Sequence, residues 1–131
     1  MSLSRRLYGL FLGAYIREGK AVALAESEED IYAISPGGLG VGIMQQSAAW
    51  QVTFPPSMPP LDGLLYGHAM ATDRRWHPAF QLACYATFCY RHRTLDRLSR
   101  LRLYHYGHEQ AEDPDGYVAR VEQYYVTLEG W

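Results

Sequence analysis

Glu26 closes a short apolar run, AVALA, and is followed at once by Ser27, Glu28, Glu29 and Asp30. A carboxyl pressed against apolar surface is pushed toward its neutral form, because burial disfavours charge. A carboxylic acid that keeps its proton near neutral pH can protonate a leaving oxygen, the general-acid step of glycosidic cleavage. Glu29 and Asp30 lie three and four residues further on, so they are expected to share a helix face with Glu26 and to sit beside it. On spacing alone the cluster reads best as a solvated helix end. The preceding AVALA is what sets Glu26 apart.

Other constellations carry less. Gly37-Gly38-Leu39-Gly40-Val41-Gly42 invites a phosphate-loop reading, but no Lys-Ser/Thr follows. A helix before it and Met44-Gln45 after it argue against a nucleotide site. His105, His108, Glu109 and Asp113 contain no His-Glu-x-x-His, so surface or supporting histidines are expected and no metal or other cofactor is called for. No Gly-x-Ser-x-Gly elbow is present. Cys84 and Cys89 are five apart in a helical pattern, on different faces, and are expected to be buried free thiols.

The elements that must position these groups are mostly helical. Leu3, Leu7, Leu10, Phe11, Ala14 and Tyr15 recur at helical steps and predict an amphipathic helix ending near Gly19. A shorter helix from Lys20 to about Asp30 would carry Glu26. Ser35-Pro36-Gly37-Gly38 predicts a turn. Gly38, Gly40 and Gly42 alternate with apolar residues and predict a small extended or hairpin excursion after that helix. Residues 46–50 could begin another helix, and 54–77 read as a long loop with a helical turn or two. Helical patterns resume at Pro78 and again after Asp113-Pro114-Asp115, where Tyr117, Val121, Tyr124, Tyr125 and Leu128 make an apolar face.

With 131 residues, 48% hydrophobic and 20% charged, one ordered domain over 1–131 is expected. A net charge of -2 argues against broad nucleic-acid binding. Arg91, Arg93, Arg97, Arg100 and Arg102 face only Asp96 locally, and predict a solvated helix face. No run approaches the ~20 apolar residues of a membrane span. The start, MSLSRRLYGLFLGAY, mimics a signal peptide, but Arg17, Glu18 and Lys20 interrupt it, so it is read as a helix of the fold and no export signal is read in these residues.

The order of motifs resembles the soluble lytic transglycosylase family. There a helix ends in Glu-Ser, an Ala-x-Ser triplet follows, and a Gly-Leu-Met-Gln-like segment comes next. Here Glu26-Ser27 precedes Ala33-Ile34-Ser35 and then Gly42-Ile43-Met44-Gln45. Leu103-Tyr104-His105-Tyr106-Gly107 and Tyr117-Val118-Ala119-Arg120-Val121 take the places of the family's Ala-Tyr-Asn-Ala-Gly and Tyr-Val-x-x-Val motifs. The resemblance covers roughly residues 20–47 and 100–125. His105 stands where the family has Asn, Glu28, Glu29 and Asp30 replace Gly-Phe-type residues, and residues 51–77 have no counterpart.

The resemblance implies a mainly α, goose-lysozyme-like domain that cleaves peptidoglycan glycan strands between N-acetylmuramic acid and N-acetylglucosamine. Glu26 would act as acid and then as base while the sugar's 6-hydroxyl closes a 1,6-anhydro ring. Ser35, Met44, Gln45, Tyr104, His105 and Tyr117 would bind substrate. A lysozyme-type hydrolase is the near rival, with Asp113 or Asp115 as a second carboxylate about 5 to 9.5 Å across the bond. A non-catalytic glycan binder is the other. The implied site of action is the cell wall or periplasm, in wall remodelling, phage lysis or a secretion or conjugation assembly.

Overall fold

The computed structural model describes residues 3–55 and 74–131. These residues are mainly helical, and the expected loop over 54–77 falls largely on 56–73, outside them. Ser4 caps the first helix, α1 (Arg5–Leu12), by accepting the Leu7 N–H at 3.2 Å. The helix buries Tyr8, Phe11 and Leu12.

The expected break near Gly19 lies elsewhere. Gly13, at φ 54°, ends α1, and one 3₁₀ turn (Gly13–Tyr15) leads into α2 (Ile16–Ser27). Gly19 sits inside α2 because a Cβ there would stand 2.1 Å from Leu12 Cδ1. The missing side chain lets the end of α1 close against α2.

Helix α2 buries Ala21, Val22 and Ala23 and packs on α1 and on α6 (Tyr117–Thr127). It ends at Glu28 and Glu29, both left-handed at φ 54° and 63°. That double turn sends Glu29 into the core, 5% exposed, where it accepts from Lys20 Nζ at 2.6 Å and from the Tyr8 hydroxyl at 2.8 Å. The expectation that Glu29 stands beside Glu26 is therefore overturned: the helix that would have aligned them stops at Ser27. Asp30 is exposed and accepts the Tyr32 N–H at 2.9 Å.

The excursion after α2 is a tight hairpin without a regular strand. Gly38 N–H donates to Ser35 O at 2.8 Å, Ser35 N–H to Gly40 O at 2.9 Å and Gly42 N–H to Ala33 O at 2.9 Å. Ser27 anchors the hairpin to α2, since its hydroxyl lies 2.8 Å from Ile43 O. From the other side Gln81 of α4 (Pro78–Arg91) donates to Val41 O at 2.7 Å and accepts the Met44 N–H at 2.8 Å. Gly42 is required there: its φ is 76°, and a Cβ would lie 2.4 Å from Gln81 Nε2.

Ser47 caps α3 (Ala48–Thr53). Asp96 caps α5 (Arg97–Tyr106), and Gly107 at φ 74° ends it. The Asp113 carboxylate accepts the Val118 and Ala119 N–H groups at the start of α6. Cys84 and Cys89 are buried and form no disulfide. The arginine run is only partly a solvated face. Arg100 is 8% exposed and forks onto Glu18, and Arg97 forks onto Glu122 at 2.9 and 3.0 Å. Those acids lie far along the chain, so the local charge count misses them. Among the described residues no helix is long and apolar enough to cross a membrane.

Candidate active site

Glu26 occupies the last turn of α2, where AVALA has carried the apolar face to the protein surface. Its side chain is half-buried and lines a hollow of about 500 Å³. The other walls come from the hairpin (Ser35, Leu39, Gln45), the start of α3 (Ser47, Trp50) and the end of α5 (Tyr104, His105). Among the described residues no donor reaches the Glu26 carboxylate. Burial pushes its pKa up to about 8; the Arg120 charge pulls it down and the Asp115 charge pushes it further up.

Five of the expected site residues meet at this hollow: Glu26, Ser35, Gln45, Tyr104 and His105. Their free valences are limited and can be counted. Ser35 Oγ accepts the Gly40 N–H at 3.0 Å and keeps its own proton to donate. Gln45 Nε2 donates to Ala33 O at 3.2 Å and Gly42 O at 2.9 Å, which leaves its Oε1 as an acceptor. The Tyr104 hydroxyl donates to Met44 O at 2.6 Å and takes a hydrogen bond from the Gln46 side chain. Its ring stands edge-on to Trp50 at 5.1 Å.

Met44 and Tyr117 do not line the hollow. Met44 is fully buried, because Gly42 at φ 76° and Gln45 at φ 49° turn the segment and direct its side chain into the core. Only its carbonyl faces Tyr104. Tyr117 is also fully buried. It stacks on His105, the two rings 3.9 Å apart at 11°, and its hydroxyl has no hydrogen-bond partner among the described residues. The Glu26 charge is felt at both Tyr117 and Tyr104.

Several contributors escaped the sequence reading, among them Leu39 and Ser47. Trp50 adds an aromatic wall; its signal was the Ser47 cap, which places it on the first turn of α3. Arg120 and Tyr124 share with Glu26 and Glu28 a second hollow of about 330 Å³ beside α2. Arg120 lies one turn into α6, a position marked by no sequence pattern.

Neither acid considered as a second carboxylate lines the Glu26 hollow; Asp113 lines a separate one of about 630 Å³. Asp113 caps α6. Hydrogen bonds from Tyr106 and His105 hold the Asp115 carboxyl well below the usual range. Asp115 reaches the hollow only through His105, whose Nε2 is 2.8 Å from Oδ2. Among the described residues no group of three or more His, Cys, Asp or Glu is placed to hold a metal ion.

The arrangement pairs a carboxyl that keeps its proton near neutral pH with hydrogen-bonding groups of known polarity and two aromatic rings. That combination suits an uncharged, hydroxyl-rich ligand with apolar ring faces. No protein-family model, curated protein sequence or solved structure matches the chain.

Proposed function

We propose that this protein is a peptidoglycan lytic transglycosylase with a lysozyme-like fold, acting at the bacterial cell wall or periplasm. The observation that carries the reading is Glu26 itself: half-buried, without a donor among the described residues, and with its pKa raised by burial to about 8 in the wall of its hollow. A glycan strand would lie along that hollow, with sugar faces on Trp50 and Tyr104 and hydroxyls or N-acetyl groups meeting Ser35 Oγ–H and Gln45 Oε1.

Glu26 gives its proton to the oxygen leaving the muramic acid anomeric carbon. The 6-hydroxyl of the same sugar then closes the anhydro ring, and in a one-carboxylate scheme Glu26 also collects that hydroxyl's proton. No second carboxylate is needed, because the substrate supplies the nucleophile. The order Glu26-Ser27, Ala33-Ile34-Ser35, Gly42-Ile43-Met44-Gln45 supports this choice over other glycosidases. Partners in secretion, conjugation or phage assemblies belong to the same proposal.

The ionised Asp115, whose charge is felt at Glu26, favours one rival, a lysozyme-type hydrolase. Digestion of purified sacculi followed by mass spectrometry separates the two. Anhydro-muramic ends are the expected product. Reducing ends would assign the hydrolase, and binding without any product would reduce the protein to a glycan binder.

A further inference from the structure

His105 and Asp115 form a unit that the one-carboxylate scheme leaves unused. Asp115 Oδ1 accepts from the Tyr106 hydroxyl and from the Tyr117 N–H at 3.0 Å, and Oδ2 lies 2.8 Å from His105 Nε2. An ionised carboxylate only accepts hydrogen bonds, so Nε2 carries the proton and a neutral His105 presents a bare Nδ1. No donor reaches that nitrogen among the described residues. The ring is held by its stack on Tyr117, and His105 lines the same hollow as Glu26. An imidazole with its orientation and tautomer fixed by a carboxylate, and its second nitrogen unclaimed, has the geometry of a general base.

We propose that His105 Nδ1, positioned by Asp115, takes the proton of the attacking hydroxyl, leaving Glu26 only the acid half of the cycle. The inference rests on the glycan-cleaving reading of the site. In the step, the Glu26 proton passes to the glycosidic oxygen as its bond to the anomeric carbon breaks. The 6-oxygen bonds to that carbon, and its proton passes to Nδ1. Glu26 ends as carboxylate and His105 as imidazolium beside the Asp115 charge. Loss of one proton from His105 to solvent and gain of one by Glu26 resets both, and nothing is oxidised or reduced.

The division of labour is tested with the full chain on two substrates: sacculi, and a muramic acid oligosaccharide carrying a 2,4-dinitrophenyl leaving group, which departs without a proton. His105→Gln keeps an amide donor toward Asp115 and removes the base. It is expected to lower kcat about 10²- to 10⁴-fold on both substrates with KM unchanged. Glu26→Gln should lose about 10²- to 10⁴-fold on sacculi yet stay within about 10-fold of wild type on the aryl glycoside, a bound set by the missing demand for an acid. Asp115→Asn, which no longer imposes the tautomer, should reproduce the His105→Gln loss in part, again in kcat. Melting temperatures of all three variants check that each is folded.

The inference is overturned if His105→Gln retains wild-type kcat, if its loss is confined to KM, or if Glu26→Gln loses as much on the aryl glycoside as on sacculi while His105→Gln does not. Wild-type protein that binds glycan but cleaves neither substrate overturns the glycan-cleaving reading itself, and the base with it.

Discussion

Helix α2 carries a carboxylate near each end, and the two have opposite fates. Glu18 is 4% exposed and fully satisfied: Arg100 Nη2 lies at 2.7 Å, Arg100 Nε at 3.2 Å, the Tyr85 hydroxyl at 3.1 Å and the Cys89 thiol at 3.6 Å. Burial pushes the Tyr85 and Cys89 groups up, so both stay neutral donors. Glu26 is less buried yet has no donor among the described residues, and Arg120 acts on it through its charge. Burial by itself does not make an acid. Burial without a paired charge or a hydrogen bond does, because the neutral form is then the cheaper one to keep. The first end of α2 holds a matched, ionised carboxylate, and the second holds a carboxyl that burial keeps neutral.

The contrast can be broken at either end. The largest effect is expected at Glu26. Replacement by Gln should cut the initial rate of glycan release from sacculi about 10²- to 10⁴-fold, the range for losing a general acid. Turbidity loss and product quantitation measure it, and an unchanged rate would remove Glu26 from the chemistry. Next comes the Glu18 end. Arg100→Met strands the buried Glu18 charge and should cost about 3–5 kcal/mol in urea unfolding. Replacing both Glu18 and Arg100 by Met should recover most of that loss. If the single change costs under 1 kcal/mol, the pair is not the buried, matched unit described.

A smaller effect sharpens the comparison through pH. The folded Glu26 pKa is raised from 4.5 to about 8, so between those values the folded protein holds a proton that the unfolded chain has lost. Stability contributed by this group therefore falls as pH rises from 4.5 to 8. Glu26→Gln, which mimics the protonated form, should leave stability unchanged near pH 4.5. At pH 8 to 9 it should raise it by about 1 kcal/mol, a figure reduced for solvent screening of a half-buried group. Thermal melts at the two pH values read the difference. The smallest effect belongs to Arg97–Glu122, a partly exposed pair: Glu122→Gln should cost about 1 kcal/mol or less despite the bidentate geometry.

The two ends of α2 were unequally legible in the sequence. The partial burial of Glu26 was legible because AVALA is local and sits next to the residue it perturbs. The helical class, the Ser35–Gly38 turn and the glycine close approach were legible for the same reason. Glu18 could not be found, because its partner lies 82 residues away and no spacing rule connects them. The acidic cluster misled because two non-glycine residues, Glu28 and Glu29, adopt left-handed backbone, which side-chain type does not announce. Met44 was misplaced by the same kind of event at Gln45. Gly19 looked like a helix end and proved to be the close contact with Leu12, a role that depends on tertiary packing.

The claim that the difference between Glu18 and Glu26 is one of protonation has a direct test. Isotope-labelled glutamate, with Glu26→Gln used to assign the resonance, allows the Glu26 side-chain carboxyl to be followed by NMR across pH. A midpoint near 8 is the expected result. A midpoint near 4.5, the ordinary glutamate value, would mean that Glu26 is ionised at neutral pH and cannot be the proton donor.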